Sequence, residues 1–98
     1  MAVPTLFDLI IRGDVPAHFV AEGDSWYAFL DIYPRSAGHT LVVPKQSVRR
    51  IAELDIEVRN ALFTGVSDVQ NRLSQAFGTE DFTVCIHDGA LAGQEVPH

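Results

Sequence analysis

Four histidines, His18, His39, His87 and His98, are the side chains of this sequence that exchange a proton near neutral pH without a perturbing neighbour. Their spacing matches no metal-binding pattern. Cys85 and His87 share one face of an alternating run and could give two ligands, but a zinc site takes three or four, and a packed thiol beside a polar strand end fits the same pattern. Asp31 ends an apolar run directly ahead of Ile32, Tyr33 and Pro34. A carboxylate there could accept hydrogen bonds from the vicinal hydroxyls of a sugar, or cap a turn through backbone N–H groups. Phe7, Ile10, Phe29 and Ile32 could line a slot for a flat ring or fill an ordinary core. The loop from Asp88 to Glu95, with Gly89 and Gly93, could present N–H groups to a phosphate, although glycine loops between strands are common. Lys45, the only lysine, reads as a solvated charge. Together these residues permit a sugar-phosphate cleft and display no nucleophile.

The elements that must position them follow from pattern. Thr5 is a helix N-cap with Asp8 in the first turn, Phe7, Ile10 and Ile11 on one stripe, and a stop at Gly13. Residues 18–22 and 26–30 are aromatic and branched, and Gly23-Asp24-Ser25 between them predicts a β-hairpin. A Pro- and Gly-punctuated loop over 31–38 leads to a buried third strand at 39–44. Ser47 is placed to cap a single turn over 48–52, and Asp55 to cap a long helix in which Val58, Leu62, Val66, Val69, Leu73 and Phe77 recur at helical spacing up to Gly78. Phe82, Val84 and Ile86 alternate with Thr83, Cys85 and His87, which predicts a fourth strand, and Gln94-Glu95-Val96 looks like the start of a fifth that Pro97-His98 cuts short. The order indicates one α+β domain over residues 1–98 with a largely antiparallel sheet, one long helix and a short N-terminal helix. One helix over one sheet face leaves edges and apolar surface that a second copy could cover, so a homodimer is expected.

Composition narrows the function classes. Ninety-eight residues suffice for one modest core, and 47% apolar with 20% charged residues is a folding composition. Seven Lys and Arg against 13 Asp and Glu give a net charge of −6, without the basic footprint that grips a phosphate backbone, so no nucleic acid partner is expected. One cysteine makes no internal disulfide and fits a reducing compartment, which points to the cytoplasm. No basic start with a long apolar stretch opens the chain, and no run of 18 apolar residues occurs, so neither secretion nor a membrane is expected.

Three segments, L-F-D-L-I-I-R-G-D-V-P-A near the start, A-F-L-D-I-Y-P-R-S-A-G-H-T-L-V-V-P-K in the middle and D-G-A-L-A-G-Q-E-V-P-H at the end, resemble the histidine triad (HIT) family in the family's order. The middle run D-I-x-P-x-x-x-G-H-x-L-V-x-P-K, coupled to G-Q-x-V-x-H at residues 93–98, is the specific part. The resemblance implies an α+β fold, usually a homodimer, that binds purine nucleotides and cleaves or transfers at the α-phosphorus through a nucleotidyl-histidine intermediate. Covalent catalysis of that kind splits one hard displacement into two easier ones. No cofactor is implied.

Carried over by resemblance, Asp31 binds the ribose hydroxyls, and Phe7, Ile10, Phe29 and Ile32 form the nucleobase slot. Gln94 and the backbone around Gly93 meet the phosphate, and His98 matches the first histidine of H-x-H-x-H. His39 supports the site or serves the fold alone. The nucleophile of the signature stands two residues past His98, so the chain as written is expected to lack it, with the fifth strand truncated. His87 and Glu95 occupy positions where the family more often has an asparagine and a small hydroxyl residue, and Ser47 replaces a frequent histidine. A carboxylate at Glu95 repels a phosphate unless it is protonated or paired. The alternative is a nucleotide-binding or dimerisation module without catalysis.

Overall fold

The computed structural model describes residues 3–98. The first helix, α1 (Leu6–Ile11), begins as its sequence predicts. The Thr5 hydroxyl takes the Asp8 N–H at 3.1 Å, and the Asp8 carboxylate takes the Thr5 N–H at 2.9 Å. This reciprocal pair satisfies two amides that a helix start leaves without partners.

Strands β1 (Phe19–Glu22), β2 (Trp26–Leu30) and β3 (Thr40–Pro44) form an antiparallel sheet in that order. A bulge lies between Phe19, opposite Phe29, and Ala21, opposite Ala28. The β2–β3 register is regular from Trp26 opposite Pro44 to Leu30 opposite Thr40. Beyond it the Asp31 N–H bonds the His39 carbonyl at 2.9 Å, so the ladder runs one pair further and sets Asp31 across from His39.

Alternation sends Trp26 and Ala28 to one face of the sheet and Tyr27 and Phe29 to the other. The long helix α2 (Ile56–Phe77) covers the first face, enclosing Ala21, Trp26, Ala28, Leu54, Leu62 and Val69. Its close approach is made possible by Gly65, where a Cβ would come 2.5 Å from the Trp26 ring. Gly78, with φ of +69°, ends α2 in the left-handed conformation its position predicts. On the second face α1 lays Ile10 against Phe29 and Val43. The second face is therefore partly covered, not bare, with Phe19 beside Tyr27 left 56% exposed.

Four other expectations need correction. Residues 82–87 are no strand, although their alternation is real: a strand exists through its ladder, and among the described residues no neighbour supplies one. Val84 and Ile86 stand half-exposed as a result. Residues 94–96 form no strand start for the same reason. Ser47 caps nothing; the single turn is a 3-10 helix at Ile51–Glu53, whose Ile51 N–H is taken by Asp88 at 3.0 Å. Asp55 holds the N-cap position of α2 but makes no side-chain bond there, and Glu57 supplies the first-turn negative charge. The architecture is α+β, and no helix among the described residues is long and apolar enough to cross a membrane.

Candidate functional site

Because Asp31 continues the ladder of β2, its side chain shares a face with Phe29 and Tyr27. One carboxylate oxygen, Oδ1, accepts the Tyr33 N–H at 2.9 Å and so makes the turn that bends the chain away. The other, Oδ2, lies 3.5 Å from His39 Nε2. His39 Nδ1 accepts the Arg35 N–H at 3.2 Å, which leaves the ring proton of the neutral imidazole on Nε2, facing the carboxylate. Asp31 therefore caps its turn with one oxygen and keeps acceptor capacity on the other, steadied by a cross-strand histidine. Both readings of this residue coexist in one geometry.

The aromatic residues gather beside it. Phe7 meets Phe29 edge to face at 5.4 Å, Tyr27 is 6.2 Å from Phe29, and Ile10 is buried between α1 and the sheet. Ile32 does not join them; it is 68% exposed, because the Asp31 turn directs the following residues outward. Tyr27 was not singled out from sequence, although its place two residues before Phe29 is the signal that would have found it.

Phe7 also meets the His98 ring edge to face at 5.7 Å. The His98 side chain is wholly buried. Its Nε2 lies 2.6 Å from the Pro44 carbonyl and its Nδ1 2.7 Å from the Thr5 hydroxyl. Asp8 stands behind, with Oδ1 3.7 Å from Nδ1 and Oδ2 accepting the Ser47 hydroxyl at 3.0 Å. Burial alone would raise the Asp8 carboxyl, but the Thr5 N–H, the Ser47 hydroxyl and the adjacent imidazole outweigh it and hold the group below its ordinary range. Local pattern places Thr5 and Asp8 at a helix start and Ser47 ahead of a single turn, and no such pattern shows a contact across 93 or 39 residues.

Gln94 reaches the same region. Its Nε2 donates to the Arg49 carbonyl at 2.7 Å and more distantly, at 3.5 Å, to the His98 carbonyl. A Cβ on Gly93, whose φ is +95°, would come 3.4 Å from His87 Nδ1, so those two residues are neighbours. Glu95 is exposed. A hollow of about 400 Å³ next to the Gln94 anchor is lined by Arg49, Arg50, Asp88 and residues 89–92. Positive charge thus accumulates beside the glycine loop in an otherwise acidic chain. Lys45, by contrast, pairs with Glu22 at 2.8 Å. A continuous path of contacts runs from Phe29 through Phe7 and His98 to Gln94. Asp31 and His39 lie at one end of that path, and Ile32 and Glu95 stand off it.

Comparison with known proteins gives this arrangement its relatives. A sequence profile of the HIT domain matches residues 12–98. An uncharacterized HIT-like protein of Methanocaldococcus jannaschii is 39% identical over 93 residues, which are 95% of this chain and 71% of that protein. The adenosine 5'-monophosphoramidase of Schizosaccharomyces pombe is 34% identical over 93 residues, 95% of this chain and 67% of that enzyme. Among solved structures, a HIT family protein of Bacillus anthracis superposes with a TM-score of 0.91 at 34% identity, over 100% of this chain and 70% of the other. The profile match runs from the end of α1 to His98 and so takes in both the Asp31–His39 pair and the buried His98 imidazole: the chain belongs to the HIT family.

Proposed function

We propose that this chain binds a purine nucleotide or nucleotide conjugate, with the base against the aromatic cluster, the ribose hydroxyls on Asp31, and the phosphate toward the segment of His87, Gly93 and Gln94. The observation that carries this reading is the Asp31 carboxylate, which holds its turn with Oδ1 and retains an oxygen for further donors on the face shared with Phe29 and Tyr27. Membership in a family that includes a monophosphoramidase supports hydrolysis or transfer at the α-phosphorus as the parent chemistry. That chemistry passes through a nucleotidyl-histidine, and the histidine that the family motif uses for it stands two positions past His98, outside these 98 residues. The described residues serve the binding part of that chemistry, in a reducing, cytoplasmic setting that suits the exposed thiol of Cys85.

Titration calorimetry with adenosine monophosphate tests it. Binding should be measurable, and Asp31→Ala should weaken it by on the order of 1 to 3 kcal/mol through loss of charge-assisted hydrogen bonds to the ribose. Asp31→Asn, which keeps the turn-capping oxygen, separates loss of the charge from loss of the turn. Equal affinity in all three proteins, each folded by the fluorescence of Trp26, removes Asp31 from the site.

A further inference from the structure

Two oxygens within hydrogen-bond reach of the His98 ring, with Asp8 Oδ1 behind them 3.7 Å from Nδ1, define a direction for its protons. The Pro44 carbonyl can only accept, so the nitrogen 2.6 Å from it, Nε2, carries a hydrogen. The Thr5 hydroxyl has one hydrogen, and its oxygen already accepts the Asp8 N–H. That hydrogen is free to point at Nδ1, 2.7 Å away, which in the neutral ring is the bare nitrogen. Asp8 fixes the donor in turn: its Oδ2 takes the Thr5 N–H at 2.9 Å and the Ser47 hydroxyl at 3.0 Å. With the side chain fully buried and Phe7 against its edge, the imidazole has no water with which to exchange partners.

We propose that Thr5 and Asp8 are positioning residues for His98: the capping box of α1 holds the histidine as its Nε2–H tautomer on the Pro44 carbonyl, and through it seats the Gln94 segment against β3. The inference rests on the nucleotide reading above for what that seating serves. Thr5 and Asp8 touch no substrate in this role; they act through the imidazole. One two-residue device thus starts a helix and locks a histidine 93 positions from Thr5.

Long-range proton–nitrogen spectra of the histidine-labelled protein at neutral pH read the tautomer, with His98→Gln assigning the signal. The expected wild-type pattern is a neutral ring protonated at Nε2. Thr5→Val keeps the shape and removes the hydroxyl. It should mix the tautomers and speed solvent exchange of the Nε2 proton about tenfold, the equivalent of one lost hydrogen bond, and Thr5→Ser should restore both. A wild-type ring protonated at Nδ1 overturns the proposal without any variant. So does a folded Thr5→Val protein whose tautomer and exchange match the wild type. Asp8→Ala, which leaves the Thr5 hydroxyl in place and removes the acceptor of the Thr5 N–H, should speed the same exchange, and an unchanged rate in a folded Asp8→Ala protein removes Asp8 from the device. Adenosine monophosphate titrated into the same samples decides the nucleotide reading separately, since the tautomer is read in its absence.

Discussion

Asp8 takes the Thr5 N–H and the Ser47 hydroxyl on one oxygen, and both bonds favour the ionised form. Ionisation is held below the ordinary value of 3.8, with burial opposing and the Thr5 N–H and the Ser47 hydroxyl prevailing. A carboxyl whose folded-state value is depressed releases its proton more readily folded than unfolded. Its contribution to stability is fully present above pH 3.8 and is lost as the pH falls through the lower folded-state value. Urea unfolding should therefore show the wild type losing stability below pH 3.8 more steeply than Asp8→Asn, whose side chain does not titrate. Parallel curves for the two proteins would mean that the Asp8 environment does not stabilise its charge. The residue scale is also where sequence reading fell shortest. Thr5 and Asp8 were legible as a cap because capping is local, whereas their bonds to His98 and Ser47 depend on the fold bringing β3 and the Gln94 segment beside α1. Ile32 fails as a slot residue for a related reason, since the Asp31 turn, not the apolar character of Ile32, decides which way it faces.

The two helices and three strands were legible because each writes its own period: the capping box of α1, the alternation through Trp26, Tyr27, Ala28 and Phe29, and the helical recurrence ending at Gly78. Residues 82–87 carry an equally clear alternation, but pairing is a property of two segments, and one segment cannot announce a partner. Close packing between elements is likewise invisible in one of them. Gly65 looks like a weak point in α2, since alanine is the better helix former by about 1 kcal/mol. The structure gives the opposite sign: a Cβ at Gly65 lies 2.5 Å from Trp26 Cδ2 and 2.7 Å from Cε2, in a core with no slack. Relief requires the helix to lift or the indole to leave its rotamer, at a cost of about 1 to 3 kcal/mol. Gly65→Ala should thus lower the unfolding free energy by about 1 kcal/mol or more despite the gain in propensity. Trp26, the single tryptophan, reports the change directly through its emission. A stabilised alanine variant would show that α2 sits further from the sheet than the glycine implies.

At the scale of the molecule, the apolar residues left over are organised. Ile56, Phe63 and Phe77 on α2 are 60%, 44% and 52% exposed and stand seven and fourteen residues apart. A seven-residue step drifts only about 20° around a helix, so Ile56 and Phe63 form one outward line, and Phe77, about 60° round from Ile56, extends it toward Gly38. Val84 and Ile86, half-exposed on a segment without a ladder, add apolar surface, and β3 presents an outer edge. α2 occupies one face of the sheet and α1 part of the other, where the proposed nucleotide lies, so the helix stripe and the strand edge are the surfaces left for a second copy to cover. The expected homodimer is therefore placed on α2. Equilibrium sedimentation should give twice the 10.8 kDa chain mass for the wild type. Phe63→Glu should give the single mass without loss of fold, because a half-exposed side chain contributes little to the core and a charge inside a self-complementary contact faces its own copy. A wild type that stays at 10.8 kDa as concentration rises would remove the dimer. A Phe63→Glu protein that still dimerises would move the contact off the α2 stripe and onto the outer edge of β3 at Thr40–Val42, ahead of the Pro44 carbonyl that His98 occupies, where no side-chain charge on α2 disturbs it.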